Sequence, residues 1–84
     1  MGYQVYILQS MLNGRYYVGQ TADLGDRLDR HNAGREKATA PHVPWMLVWA
    51  TSKETRSEAV LLERKLKNLS RIRLEAFMRK YGVG

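Results

Sequence analysis

Cysteine is absent from the 84-residue sequence, which excludes disulfide bridges and thiolate metal sites. This absence is compatible with a reducing cytosol. Long apolar runs are also missing: the longest, residues 45–50, is far too short to span a bilayer, and no stretch resembles a signal peptide. We therefore expect one cytoplasmic domain over residues 1–84, built on a single core and without a membrane partner.

Acidic residues are scarce in the C-terminal quarter of the chain. Residues 1–63 hold seven Lys or Arg and seven Asp or Glu, whereas residues 64–84 hold seven Lys or Arg and one acidic residue, Glu75. The net charge of +6 therefore comes from this last segment. A polyanion is the expected partner, and nucleic acid fits better than a membrane. The open alternative is a solubilising helix surface.

The sequence Asn13-Gly14 predicts a β-hairpin with a two-residue type I′ turn between strands over residues 3–11 and 15–20. In that register Ser10 lies opposite Tyr17 and Leu8 opposite Gly19. Because side chains alternate along a strand, one face is expected to carry five residues. They are Tyr6, Leu8, Ser10, Tyr17 and Gly19.

Two phenols on one face of a hairpin have two interpretations. In one, both tyrosines are ordinary strand formers in a core. In the other, they point into a functional groove, and Gly19 leaves a gap beside Tyr17 where a ligand or another backbone approaches.

Both prolines fall within residues 34–44, which predict a loop, and Gly34 suits the end of the preceding helix. The continuous apolar run that follows, residues 45–51, predicts a strand that is covered on both faces.

Capping residues predict three helices. Asp23 caps a first helix that ends near residue 32. Thr55 and Glu58 form a capping-box sequence for a second helix that runs to about residue 69, and Ser70 caps a third that ends before residue 82. The expected order is β-β-α-β-α-α, an α+β fold in which three helices flank a three-stranded, mostly antiparallel sheet.

Two of these helices carry charged residues on their inward faces. The first helix has the inward set Leu24, Arg27, Leu28 and His31, and the second has Ala59, Leu62, Glu63 and Leu66. Buried charges are rare unless paired. In a structural interpretation Glu63 pairs with Arg27 or with Lys67, and His31 is a satisfied, partly buried histidine.

In a functional interpretation Arg27, His31 and Glu63 line a cleft that also receives Tyr6 and Tyr17. Five polar groups pointing inward from a hairpin and two helices fit an active site better than five unrelated coincidences. The sequence contains no phosphate-binding glycine-rich loop and no HExxH motif that would favour another chemistry.

These residues resemble the GIY-YIG nuclease domain, and the resemblance covers essentially the whole chain. It is carried by Gln4-Val5-Tyr6 and Tyr17-Val18-Gly19, followed by Arg27, His31 and Glu63. The sequence is most similar to the small stand-alone bacterial members, whose loop and third strand resemble Lys37-Ala38-Thr39 and Pro44-Trp45. Gln4 departs from the first glycine of the motif, and Gln20 departs from a basic position of the repair nucleases.

The resemblance implies a role for each matching residue. Tyr17 activates the attacking water, Tyr6 positions water or phosphate, and Arg27 neutralises the scissile phosphate. His31 takes part in proton transfer, and Gly19 leaves room at the site.

The resemblance further implies that Glu63 is the only protein ligand of one divalent cation, Mg²⁺ or Mn²⁺. A magnesium ion suits a site with one carboxylate because it keeps several waters and takes phosphate oxygens as ligands. The expected nucleic-acid contacts are Lys37, Thr39, Arg64, Lys67 and Arg71.

The expected function is a metal-dependent endonuclease that hydrolyses phosphodiester bonds in DNA. Two alternatives remain open: a nucleic-acid-binding module that cuts weakly or not at all, and a protein-interaction domain in which the inward charges form a structural network. The 84 residues hold no second domain for choosing a DNA sequence, so a protein partner that supplies specificity is a further expectation.

Overall fold

The computed structural model describes residues 2–82. Three strands, β1 (Tyr3–Ser10), β2 (Tyr16–Thr21) and β3 (Trp45–Lys53), form one antiparallel sheet in the order β2-β1-β3. The helices are α1 (Leu24–Asn32), α2 (Arg56–Lys67) and α3 (Arg71–Tyr81), with one 3₁₀ turn at Ala40–His42. The predicted α+β class and element order are confirmed. Of the domain predicted over residues 1–84, residues 1, 83 and 84 lie outside the described part.

The helices begin where the capping residues predicted. Asp23 Oδ1 accepts a hydrogen bond from Asp26 N–H at 3.0 Å, and Ser70 Oγ accepts from Arg73 N–H at 3.3 Å. Thr55 and Glu58 form the reciprocal capping box. These bonds satisfy N–H groups that have no partner inside a helix, so the three starts were readable from local sequence. Within residues 2–82, no helix has the length and apolar character required to cross a membrane.

The hairpin differs from the predicted type I′ turn. Asn13 has a negative φ, and only Gly14 of the pair is left-handed, at +78°. Ser10 N–H donates to the Arg15 carbonyl at 2.8 Å, and Ser10 Oγ accepts from the N–H groups of Leu12 and Asn13. A four-residue connection, 11–14, therefore replaces the two-residue loop.

The longer connection moves the register by two residues, so that Tyr6 lies opposite Gly19 and Leu8 opposite Tyr17. The predicted pairs of Leu8 with Gly19 and Ser10 with Tyr17 are wrong. The assignment of Tyr6 and Tyr17 to one face nevertheless holds, because side chains repeat every two residues.

The expectation that β3 is covered on both faces is also wrong. β3 is an edge strand, and Met46 and Leu47 are exposed. The central position belongs to β1, in which residues 5–8 are all fully buried. An apolar run of strand length does not by itself distinguish a central strand from an edge.

Two apolar layers enclose the sheet. On one face Val5, Ile7 and Val18 pack against α2 and α3. On the other face Tyr6 and Leu8 pack with Trp45 and with residues of α1. The face under α1 therefore carries both tyrosines, while Glu63 belongs to a helix that packs on the opposite face.

Candidate active site

A buried chain of hydrogen-bonding groups lies between β1 and the segment after α1. Tyr6 Oη is 2.9 Å from His31 Nε2, and His31 Nδ1 is 2.9 Å from Thr39 Oγ1. All three residues have 0% exposure. His31 reaches this position because it occupies the last turn of α1, on the inward face that Leu24 and Leu28 also form. The imidazole is thus held from both sides by hydroxyl groups.

Tyr17 completes an aromatic cluster at the β2 edge. Its ring centre is 4.9 Å from that of His31 and 6.4 Å from that of Tyr6. Unlike Tyr6, Tyr17 is only partly buried. The two phenols and the imidazole therefore meet as the sequence predicted, but only Tyr17 reaches solvent.

Gly19 makes room for Tyr6 and not for an incoming group beside Tyr17. A Cβ at position 19 would lie 2.5 Å from Tyr6 Oη and 2.6 Å from Tyr6 Cζ. The gap that was expected to admit a ligand or another backbone is filled by the Tyr6 phenol. This corrects the sequence interpretation, which rested on a register in which Leu8 faced the glycine.

Arg27 lies one turn before His31 on α1 and is partly buried. Its Nε is fully buried and has no hydrogen-bond partner among the described residues. Its charge acts on the Tyr6 phenol. Since a buried donor without an acceptor costs about 1–3 kcal/mol, this nitrogen is the most conspicuous unsatisfied group of the site. It fits an acceptor that the chain itself does not supply.

Burial keeps the inner phenol and the imidazole neutral. Desolvation raises the pKa of Tyr6 to about 12, and the neighbouring Tyr17 acts in the same direction, while the charge of Arg27 opposes both. Desolvation also lowers the pKa of His31, helped by Arg27 and Arg30 and opposed by Glu36. A neutral phenol and a neutral imidazole at 2.9 Å are matched as hydrogen-bond partners at pH 7.

Glu63 approaches the cluster only around the β2 edge. Its Oε2 is 2.9 Å from Lys67 Nζ, and that ammonium group lies 5.9 Å from the Tyr17 ring centre. The distance from Glu63 Oε2 to the Tyr17 ring therefore cannot exceed the sum of these two values. Glu63 forms no ion pair with Arg27, so of the two pairings considered for it the one with Lys67 is present.

Glu63 offers a single carboxylate, which suits one hard divalent cation. The Glu63 side chain is 18% exposed, and within residues 2–82 no three His, Asp or Glu side chains converge as a metal cluster. One carboxylate with access to water suits Mg²⁺, which keeps much of its hydration shell. The Lys67 ammonium group is the cation that Glu63 binds in this structure.

The five residues expected to contact nucleic acid divide into two groups. Lys37, Arg64, Lys67 and Arg71 are exposed, whereas Thr39 is fully buried. The expectation for Thr39 is therefore wrong, because its hydroxyl is engaged with His31 and lies below the surface. The loop predicted over residues 34–44 gave no indication that Thr39 is buried.

Arg71 also has partners inside the molecule. Its Nη1 donates to the Gly14 carbonyl at 3.0 Å, its Nε is 3.6 Å from Glu75, and its guanidinium lies 4.9 Å from the centre of the Tyr16 ring. Tyr16 Oη donates to Glu75 at 2.8 Å. This network fastens the hairpin connection to α3 and keeps Arg71 at the surface.

A groove of about 410 Å³ runs between the β2 edge and helices α2 and α3. Its polar lining includes Arg15, Tyr16, Tyr17, Lys67 and Arg71. The sequence analysis did not assign Arg15 and Tyr16 to a site. The available signal was a basic residue followed directly by two aromatic residues in Arg15-Tyr16-Tyr17, a composition suited to nucleic-acid strands.

A family model described as the GIY-YIG catalytic domain matches residues 2–75. A UPF0213 protein of Halobacterium salinarum is 37% identical over 75 residues, covering 88% of this chain and 96% of that protein. A UPF0213 protein of Listeria monocytogenes is 39% identical over 74 residues, covering 87% of this chain and 82% of that protein.

Among solved structures, the chain resembles the solution NMR structure of a UPF0213 protein from Bacillus halodurans. The TM-score is 0.65 at 32% sequence identity, with 98% of this chain and 87% of the other covered. The likeness therefore extends over the whole sheet and all three helices.

Proposed function

Because the chain belongs to the GIY-YIG catalytic domain family, we propose that it is a metal-dependent endonuclease that hydrolyses phosphodiester bonds in DNA. The observation that carries the proposal is the Nε of Arg27, which is buried without a hydrogen-bond partner among residues 2–82. The charge of this side chain acts on Tyr6, which clusters with Tyr17 and His31. A phosphate oxygen supplies the acceptor that this nitrogen lacks, and guanidinium geometry matches phosphate in a bidentate manner.

In this proposal Arg27 binds the scissile phosphate and neutralises charge that develops during attack. Burial of the unpartnered Nε costs free energy in the protein without substrate, and a phosphate acceptor would offset that cost on binding, so the group is preorganised. The proposal predicts that the phosphate lies against the exposed side of the Tyr6–Tyr17–His31 cluster.

Tyr17 is the group that activates the attacking water, because it is the tyrosine that reaches solvent. A phenol with its ordinary pKa near 10 is a poor base at pH 7. A neighbouring positive charge stabilises negative charge on a reacting oxygen, and the Lys67 ammonium group lies 5.9 Å from the Tyr17 ring centre. Tyr6, buried and neutral, orients groups without titrating.

Glu63 is the residue that would hold a divalent cation, Mg²⁺ or Mn²⁺. When bound, such a cation polarises the phosphoryl oxygen and lowers the pKa of a bound water. The chain's own contribution is to release Glu63 from Lys67, whose ammonium group then becomes available to a DNA phosphate. Removing Glu63 would leave the aromatic cluster intact, since the helix that carries it packs on the other face of the sheet.

The DNA backbone is held by exposed basic residues around the β2 edge. Arg15, Lys67 and Arg71 line the groove at this edge, and the exposed residues Lys37 and Arg64 are proposed as further contacts. The seven basic residues of 64–84 also add a long-range attraction for a polyanion. Binding should therefore weaken steeply as salt is raised.

The test is nicking of supercoiled plasmid with Mg²⁺ or Mn²⁺, with EDTA as the metal-free control. Tyr17→Phe, Arg27→Lys and Glu63→Gln should each lower the rate on the order of 100-fold while the circular dichroism spectrum stays unchanged. Tyr81→Phe and Glu54→Gln, which alter exposed residues of the same types, should cut like the wild type. Nicking that survives EDTA, or wild-type rates in Glu63→Gln, would contradict the proposal.

A nucleic-acid-binding module without cutting activity is the second candidate, and the Glu63–Lys67 ion pair favours it. The Lys67 ammonium group, 2.9 Å from the Glu63 carboxylate, competes with a divalent cation for that carboxylate. Gel shifts with plasmid or oligonucleotide at low salt, without nicking under any divalent cation, would support this module over the enzyme. Absence of any affinity for DNA would contradict both and leave a protein-interaction domain.

A further inference from the structure

Thr39 is fully buried, and its hydroxyl group forms a hydrogen bond with His31 of the candidate site. Its Oγ1 lies 2.9 Å from His31 Nδ1 and 3.3 Å from the backbone carbonyl of Glu36. Its exposure is 0%, as are those of His31 and Tyr6. The side chain therefore contacts neither substrate nor water, and its polar partners within residues 2–82 are a histidine ring and a carbonyl group.

The direction of the hydrogen bonds follows from counting protons and acceptors. If Tyr6 Oη donates to His31 Nε2, then Nδ1 carries the imidazole proton and donates to Thr39 Oγ1, and Thr39 donates to the Glu36 carbonyl. Every proton then has an acceptor. In the reverse direction Nε2 would donate to Tyr6, and the buried Tyr6 proton would have no acceptor among the bonds of the described residues.

We propose that Thr39 is a positioning residue that holds His31 in the Nδ1–H tautomer, so that Nε2 presents its lone pair to the Tyr6 hydroxyl. The tautomer follows from the geometry alone, whereas its effect on phosphodiester cleavage rests on the proposed function. Which nitrogen of a histidine accepts is set by the hydrogen bond that the other nitrogen makes. Here that bond comes from a loop residue and not from a carboxylate.

The fixed tautomer determines how Tyr6 faces the site. With its proton directed at His31, the Tyr6 oxygen keeps its lone pairs for Arg27, whose charge acts on this phenol. Tyr6 therefore accepts hydrogen bonds on the substrate side and donates on the inner side. Without Thr39 the imidazole could take the other tautomer, in which Nε2–H donates to the Tyr6 oxygen and the Tyr6 proton turns away from His31 toward Arg27 and the substrate side.

Independent contacts hold Thr39 in place before any substrate arrives. Trp45 Nε1 donates to the Thr39 carbonyl at 2.9 Å. Trp45 is itself fixed to the end of α1: its N–H donates to Asn32 Oδ1 at 2.6 Å, and Asn32 Nδ2 donates to its carbonyl at 3.1 Å. The loop between α1 and β3 is thus anchored at two residues: Asn32, which follows His31, and Trp45, which binds the Thr39 carbonyl.

The test is a long-range ¹H–¹⁵N spectrum of uniformly ¹⁵N-labelled protein at neutral pH, which distinguishes protonated from unprotonated ring nitrogens. A His42→Asn variant, altered at a residue outside the buried chain, removes the second histidine from the spectrum. We expect His31 to show Nδ1 protonated and Nε2 unprotonated in the wild type. An Nε2–H signal in the wild type would overturn the proposal.

Two substitutions then separate positioning from simple filling of space. Thr39→Val keeps the shape and removes the hydroxyl, and should abolish the tautomer preference and lower the maximal nicking rate at least tenfold with little change in KM. Thr39→Ser restores the hydroxyl and should recover both. A Thr39→Val protein that keeps the Nδ1–H tautomer and the wild-type rate would overturn the proposal.

The two readouts also separate this proposal from the proposed function. If the wild type cuts no DNA, the nuclease proposal fails, while an Nδ1–H signal that Thr39→Val loses and Thr39→Ser keeps would still support the role of Thr39. If the wild type cuts DNA but His31 is an Nε2–H tautomer, the assignment to Thr39 fails and the nuclease stands.

Discussion

Tyr6 and Gly19 lie directly opposite each other on β1 and β2, and the phenol of Tyr6 occupies the volume that a side chain at position 19 would require. The Tyr6 hydroxyl is therefore held in place by the packing of its ring against the neighbouring strand. Because the ring has few alternative rotamers inside a packed layer, any group added at position 19 must displace it.

Gly19→Ala should destabilise the protein by about 1–3 kcal/mol, the usual cost of overpacking a well-filled core. The added Cβ would stand 2.5 Å from Tyr6 Oη and would also break its alignment with His31. Urea denaturation measures the change. The matched control is Gly25→Ala on α1, where the nearest atom is 3.8 Å away and helix propensity favours alanine, so that variant should gain stability. Equal stability of Gly19→Ala and wild type would show that Tyr6 moves freely.

Tyr6 should ionise later than an ordinary tyrosine. Burial raises its pKa from 10.0 to about 12. Since the folded pKa lies above the unfolded one, the associated stability is fully present below pH 10 and is lost as the pH rises toward 12. Absorbance at 295 nm during an alkaline titration should show a late phenolate step from Tyr6, in addition to a step from Tyr16, whose pKa is also raised by burial and by its bond to Glu75. Tyr6→Phe should lose that late step, and a late step that remains in the variant would assign it elsewhere.

His31 should make the protein less stable in mild acid. Its folded pKa is lowered by burial below the ordinary 6.5, so the unfolded chain binds a proton that the folded one refuses. Stability from this group is complete above pH 6.5 and falls as the pH drops from there toward the folded pKa. The measurement is the free energy of unfolding at a series of pH values for wild type and His31→Gln. Their difference should shrink on acidification; a constant difference would mean that the fold does not change the pKa of His31.

How far sequence alone leads is visible in particular residues. Asp23, Thr55 and Ser70 act through bonds to groups three residues away, so their helices were predictable from local pattern. The hairpin was not, because Ser10 closes it while donating to the His42 carbonyl, a partner 32 positions along the chain. Rules for two-residue turns use only neighbouring residues and so do not include such a contact. The strand order, which leaves β3 at the edge of the sheet, also depends on long-range contacts.

The candidate site shows the same division. Period-two alternation and helical spacing were sufficient to place Tyr6, Tyr17, Arg27 and His31 near one another. The burial of Thr39 was not predicted, because it depends on a loop that Trp45 holds in place and not on a periodic pattern. An irregular segment offers no period from which an inward direction is read.

Arg27→Met should raise stability while abolishing cleavage. The substitution removes a buried nitrogen that has no partner among the described residues, and the apolar chain keeps most of the packing. We expect a gain of about 1 kcal/mol in the free energy of unfolding, together with a rate loss on the order of 100-fold. Arg30→Met, at an exposed neighbour 3.8 Å from Glu36, controls for loss of charge on the same helix and should change neither quantity appreciably. A marked loss of stability in Arg27→Met would instead indicate that the guanidinium is already satisfied in solution.

Lys67→Gln should affect cation binding and DNA binding in opposite directions. Removing the ammonium group 2.9 Å from Glu63 frees the carboxylate, so Mn²⁺ affinity measured by electron paramagnetic resonance should rise by a factor of about two to five, as expected for loss of an ion pair worth less than about 1 kcal/mol. At the same time one phosphate contact disappears, and the slope of log K against log salt should fall by about 1.

Lys65→Gln removes the same charge from the same helix on the side that faces Trp49 and Phe77, away from the β2 edge. It should leave Mn²⁺ affinity unchanged and should alter the salt slope less than Lys67→Gln does, because Lys65 lies outside the groove beside Tyr17. Equal effects of the two substitutions would mean that only overall charge matters. The Glu63–Lys67 pair would then be an ordinary i, i+4 surface contact, without influence on a cation at Glu63.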